Sequence, residues 1–273
     1  MSNRPTRLPY RDQTPEREDI STPRAVHRVG EDEHYAPVIV KRIDQARRHP
    51  DDVLELAIEK GDEQHTRPGV SLLLSAVTAG LILGFTPMPV AITHQITQDL
   101  QIPFLGRLGA ALVYPLSFVF CIMGGAELFT EHTATAVYPV LEKRRRVLSL
   151  LRLWLIVLVG NLIGTAVTAL MLTLIGDVIA AEEAFLSIGM HAMSFDALPL
   201  TVSAVLAGWL MALGAWLILT TPPTVSQIVS IYLVTFLIGF GGLHHSIAGA
   251  AEVFCAAFMS DEISAQQLAR FFA

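Results

Sequence analysis

Two stretches of the chain set a glycine pair beside ionisable side chains: Gly124-Gly125-Ala-Glu127-Leu-Phe129-Thr130-Glu131-His132 and Gly241-Gly242-Leu-His244-His245-Ser246. Both lie inside apolar sequence, where ionisable groups are costly and mark functional sites. A histidine in such a place can exchange a proton near neutral pH. A glutamate beside glycines can bond loop amides or cap a helix start, and Glu127 is read here in that structural sense. His244 and His245 are adjacent, so on a helix they point about 100° apart and only one of them faces a given axis. A histidine at a chain break also has a plain use, bonding a freed backbone carbonyl. Phe118, Phe120 and Phe129 have the size to narrow a passage, although aromatic rings in helical bundles more often serve packing.

Other chemistry has little support. The chain has no CxxC or HExxH spacing for a metal, no GxGxxG or P-loop for a cofactor, and no nucleophile–base constellation, so an enzyme is the remotest reading. No basic, aromatic-laced surface suggests nucleic acid. Cys121 and Cys255 sit in apolar stretches and read as reduced packing residues.

The elements that must position the two stretches follow from hydropathy. Of 273 residues, 52% are apolar and 16% charged, with a formal net charge of -6. Residues 1–68 hold 26 of the 44 Lys, Arg, Asp and Glu side chains, and residues 197–251 hold none. That distribution excludes a soluble domain for most of the chain and predicts an all-α integral membrane protein in a lipid bilayer. Five hydrophobic segments are visible, at 70–90, 108–141, 153–176, 197–219 and 225–259. The second and fifth are too long, since a straight helix of either length would measure about 50 Å against a bilayer core of about 30 Å. Each should therefore break, and the glycine pairs mark where. Interrupted helices at corresponding places in two halves point to an inverted-repeat transporter or channel, with freed backbone facing a permeating solute instead of lipid.

Residues 1–68 read as a charged extension. The composition of 1–34 predicts disorder, followed by short helices at about 38–48 and at 51–60, the latter stopped by Gly61. The first of these suits an anionic leaflet or the protein's own surface equally. No apolar h-region marks a signal peptide, so the first membrane helix does the targeting. Lys143, Arg144, Arg145, Arg146 and Arg152 crowd the loop between the second and third segments, which places that loop and the N-terminus in the cytoplasm. An odd number of spans then leaves the tail 260–273 outside.

The residues at both breaks resemble the formate/nitrite transporter family. Gly125-Ala-Glu-Leu-Phe-Thr130 is similar to its broken-second-helix motif, and His245-Ser-Ile-Ala248 to its central His-Ser-Val/Ile-Ala-Asn motif in the broken fifth helix. Gly160-Asn-Leu-Ile-Gly164 is similar to its third helix, and Gly208-Trp-Leu-Met-Ala-Leu-Gly-Ala-Trp216 falls in its fourth. The likeness covers about 67–259, and Gly61-Asp-Glu-Gln-His-Thr-Arg-Pro68 with the charged extension looks most like the YfdC-like branch. The resemblance implies an aquaporin-like fold of two inverted three-helix halves, a homopentamer with one pore per protomer, and a place in a bacterial inner membrane. It also implies that His245 is the central pore histidine, that Thr130 lies in the loop breaking helix two, and that Phe129 belongs to the constriction. Tyr114 and Phe118 would line the narrow path one turn apart, and Ile238 would stand at a constriction on the fifth helix. The sequence departs from the family in having Ser194-Phe-Asp-Ala197 where a vestibule lysine is usual, Gly208 and Gly249 where pore asparagines are usual, and His244 before the central histidine. After 259 no stretch can span a bilayer. The counterpart of 153–176, the family's sixth helix, is therefore missing: it is expected beyond a truncation point, the alternative being a five-span variant whose pore wall has a gap.

A mechanism follows as an expectation. The family passes small monovalent weak-acid anions; a bare anion crossing an apolar constriction meets a large desolvation penalty, whereas its protonated form does not. His245 would supply or recover the proton, with Thr130 bonding it or the solute. The alternative is a non-conducting membrane anchor or sensor whose extension binds a partner.

Overall fold

The computed structural model describes residues 47–260 and 263–272. The expected disordered stretch and nearly all of the helix expected at 38–48 lie outside the described residues. Within them the chain is helical. Helix α1 (Pro50–Thr66) precedes α2 (Gly69–Leu83) and α3 (Pro87–Asp99), which together make a first apolar span. α4 (Pro103–Val113) and α5 (Pro115–Met123) form the first half of the second membrane element, and α6 (Phe129–Leu141) the second half. α7 (Val147–Leu174) is a continuous span, linked by α8 (Gly176–Ile179) and α9 (Glu182–Ala192) to the continuous α10 (Ala197–Thr220). The last element is again two pieces, α11 (Thr224–Gly241) and α12 (Ser246–Met259), followed by the short α13 (Ala265–Phe272).

Five stretches among the described residues are long and apolar enough to cross a membrane, and the second and fifth elements are broken where the glycine pairs predicted. Three span boundaries differ from expectation, the third span beginning at Val147 and not at residue 153. The first span runs to Asp99, well past residue 90, because Gly84–Thr86 makes only a tight turn held by Gly84 N–H on the Gly80 carbonyl at 2.8 Å. The second starts at Pro103, whose missing N–H is harmless in a first helical turn. Large apolar side chains cover the outside, such as Leu148 at 77% and Leu155 at 63% exposure, as a lipid-facing surface requires.

Lipid tails are as apolar as leucine, so helices in a bilayer associate through close packing and internal polar bonds. α2 and α7 meet through small residues. A Cβ on Gly164 would lie 2.2 Å from the Val77 carbonyl oxygen, and one on Gly80 equally close to that of Asn161. Phe118, Leu83, Met211, Ile238 and Ile247 fill the centre between the two halves.

α1 continues to Thr66 and does not stop at Gly61. The glycine serves packing: a Cβ there would sit 2.3 Å from the Thr135 carbonyl oxygen, so its absence lets α1 lie flush on α6. Val53 and Ala57 are wholly buried, so α1 packs on the membrane helices although its charge groups it with the extension. His65 Nε2 donates to the Ala136 carbonyl at 2.9 Å, while its Nδ1 accepts from Ser149 at 2.8 Å. Arg48 donates to the Leu219 carbonyl at 2.7 Å, and Arg145 to Asp62 at 2.9 Å.

Gly61→Val should push α1 off α6 at a cost of about 1–3 kcal/mol, read as a lower Tm and faster proteolysis around residues 47–68. The Arg145 guanidinium holds the Asp62 carboxyl below the usual carboxylate range. A depressed folded-state value contributes stability above the unfolded value of about 4 and loses it as pH falls through the folded one. Asp62→Asn should therefore cost less than about 1 kcal/mol at neutral pH, and thermal unfolding of variant and parent should converge in acid.

Candidate functional site

At the first break α5 ends on Gly124, and Gly125 takes φ +66°, a left-handed conformation that favours glycine. The turn is closed by Gly125 N–H on the Ile122 carbonyl at 3.1 Å and Ala126 N–H on that of Cys121 at 3.2 Å, pairing carbonyls the helix end would leave open. The loop beyond is held by Asn161, a side chain of α7 with 0% exposure. Its Nδ2 donates to the Ala76 carbonyl at 2.8 Å and the Glu127 carbonyl at 2.9 Å, and its Oδ1 accepts from Phe129 N–H at 2.8 Å. Ser75 Oγ accepts from Glu127 N–H at 3.2 Å. The Glu127 carboxylate neither caps α6 nor bonds loop amides. It pairs with the Arg67 guanidinium and lies 3.2 Å from His132 Nδ1.

The second break repeats the scheme. Gly242 takes φ +63°, and Leu243 N–H returns to the Ile238 carbonyl at 3.0 Å. Ser203 of α10 accepts from His244 N–H and donates to His244 Nδ1, both at 2.9 Å. His244 thus braces the loop through the Ser203 side chain and also bonds the backbone of Ala192 at the end of α9.

His245 is the N-cap of α12. Its Nδ1 accepts from Ile247 N–H at 3.3 Å and Ala248 N–H at 3.2 Å. A nitrogen that accepts two amide protons carries none, so the imidazole proton is on Nε2, which donates to Thr130 Oγ1 at 2.8 Å. The bond joins the first turn of α6 to the start of α12, and so brings together the two breaks the sequence singled out. The Phe118 ring stands edge-on to His245 at 4.9 Å, and Tyr114 lies against Phe118 at 5.2 Å, one turn away as expected.

A cavity of about 170 Å³ opens beside His245, lined also by Tyr114, Ile238 and His244. Phe118 lies outside its lining, fully buried, and with Ile238 and Leu128 forms an apolar layer. Phe129 packs between that layer and the Leu153–Val157 side of α7 and does not reach the cavity. Phe120 is 66% exposed on the outside of α5 and narrows nothing. Sequence reasoning missed Asn161, Ser203 and Arg67 as the groups that hold the breaks. It also passed over Glu252, which lines the cavity and is the only charged residue between 197 and 259. A lone Asn in an apolar span and a lone Glu after a long uncharged run are the signals that could have found them.

Asn161→Ala leaves two carbonyls and one N–H unpaired in a buried loop. Each orphan costs about 1–3 kcal/mol, so a large fall in Tm in detergent is expected, well beyond that of Ser203→Ala.

Residues 51–273 match the family model described as formate/nitrite transporter. The chain is 33% identical over 204 residues to the inner membrane protein YfdC of Escherichia coli (strain K12), an alignment that covers 71% of this chain and 62% of that protein's length. Among solved structures, one described as an FNT family ion channel superposes with a TM-score of 0.73 at 18% identity, covering 81% of this chain and 90% of that one. A pentameric formate channel with formate bound superposes with a TM-score of 0.61 at 19% identity, covering 74% and 80%. The fold is that of these channels, and with the family model spanning most of its length the chain belongs to the formate/nitrite transporter family.

Proposed function

We propose that the chain is a channel or transporter that passes a small monovalent anion as its neutral weak acid. It works as a homopentamer in a bacterial inner membrane, with its N-terminus in the cytoplasm. The observation that carries this reading is the His245–Thr130 bond of 2.8 Å, where the starts of α6 and α12 converge. Helix starts carry partial positive charge and draw anions. Beside them the Phe118, Leu128 and Ile238 layer penalises a bare charge. The combination attracts an anion yet passes its neutral form. The related pentameric channel, solved with formate bound, supports the assembly and the solute, and the inner membrane protein of E. coli supports the membrane. The basic loop at 143–146 supports the orientation.

His245 has both ring nitrogens engaged while neutral. A second proton on Nδ1 would break the cap of α12 and set a cation against a positive helix end. Its part is therefore to orient Thr130, whose hydroxyl accepts from Nε2 and so keeps its own proton for the solute. His245 aids passage as a fixed hydrogen-bond donor, not as the carrier of the proton.

Uptake of labelled formate into proteoliposomes tests the reading. The parent should take up more as external pH falls, in step with the neutral acid, by up to about tenfold per pH unit. His245→Phe should lose most of the flux, by about tenfold or more. His245→Asn should keep the fold, because Asn also caps a helix start, while losing the Thr130 bond and part of the flux. Equal uptake by His245→Phe and parent from about pH 5 to about pH 8 would contradict the role given to His245. Absence of uptake by the intact protein at every pH would leave the anchor reading in its place.

A further inference from the structure

The neutral-acid reading needs a proton for each anion that enters, and His245 cannot give one without undoing its cap. The cavity beside it holds another acid. Glu252 stands seven residues after His245 on α12, two helical turns or about 10 Å further along the same face. Between them on that face is Gly249, against which the Phe271 ring packs, 3.0 Å from where a Cβ would stand, at the wall of the same cavity. Glu252 is partly exposed, and its carboxyl makes no hydrogen bond or ion pair with any described residue. Among the described side chains no Lys or Arg lines the cavity.

We propose that Glu252 is the proton donor of this vestibule, protonating an incoming weak-acid anion in the cavity it shares with His245. The proposal rests on the neutral-acid reading above. The step balances simply. The carboxyl O–H bond of Glu252 breaks and an O–H bond forms on the anion, leaving Glu252 a carboxylate and the solute neutral. The neutral acid moves to Thr130 and the apolar layer, and Glu252 regains its proton from water at the cavity mouth. Ionised Glu252 repels a second anion until it is reprotonated, which couples anion passage to proton uptake.

Among the described residues the other titratable groups facing this space are few. The Tyr114 phenol comes from the junction of α4 and α5, His191 from α9 and His244 from the second break. α12 itself adds His245 in the cavity and the buried Cys255 thiol beside Glu252. Among the described side chains α3 adds only Val90 and α13 only Phe271 to the lining, while α2, α6 and α7 add nothing. Protonated His191 or His244 would draw an anion inward, but each sits toward the Phe195 rim, with ring contacts of 5.1 and 4.9 Å. Glu252 is thus the group of this set that shares the His245 face of α12.

The test is formate uptake by proteoliposomes of the full chain across external pH. Glu252→Gln should lower uptake about tenfold near pH 8 while leaving it within about twofold near pH 5, where the solution itself supplies neutral acid. Glu252→Asp should restore most of the loss. A Glu252→Gln profile identical to the parent's overturns the proposal and leaves the transport reading standing. Equal loss at all pH values in Glu252→Gln and Glu252→Asp also overturns it, marking a packing role. Absence of uptake by the parent removes the transport reading itself, and this proposal with it.

Discussion

A helix cannot stop inside a bilayer without exposing backbone that no water is there to bond. Everything distinctive in this chain follows from stopping two helices there and satisfying what is freed. At the first break the task falls on Asn161, a single side chain that bonds Ala76, Glu127 and Phe129 and so ties α2, the loop and α6 to α7. At the second, Ser203 holds the loop from α10, and His245 closes the start of α12 with its own ring. The two solutions are not chemically alike, although each uses one glycine at positive φ and a neighbouring continuous span as its support.

The same constraint explains the site. Once both half-helices begin near the membrane centre, their positive ends face each other, and the His245–Thr130 bond is the contact that joins them. The apolar layer around Phe118 is the dry side of that junction and the His245 cavity its polar side. α6, which carries Thr130, is braced from behind by α1 through Gly61 and His65. The placement of the Thr130 hydroxyl thus depends in part on a helix that is not one of the apolar spans.

Much of this was legible in residue order. Segment length against bilayer thickness placed both breaks, and the glycine pairs fixed them to within a residue because the left-handed turn favours glycine. The Tyr114–Phe118 spacing and the pairing of Thr130 with His245 also agree with the motif likeness. Other features were hidden for physical reasons. Gly61 reads as a helix stop in one dimension, and only the contact with Thr135 reveals it as a packing glycine inside a continuing helix. Asn161 looked like part of a motif, since nothing local says which carbonyls it will meet across 34 and 85 positions of chain. The connecting helix α9, at 11 residues, is too short to read as a membrane span, and it contributes His191 to the cavity rim.

The junction between the two breaks requires a neutral His245 with its proton on Nε2. Solid-state ¹⁵N NMR of the imidazole in lipid bilayers tests it directly. One unprotonated Nδ1 and one protonated Nε2 signal are expected, unchanged from about pH 8 down to about pH 5. Two protonated nitrogens appearing within that range would contradict it and return the proton-carrying role to His245.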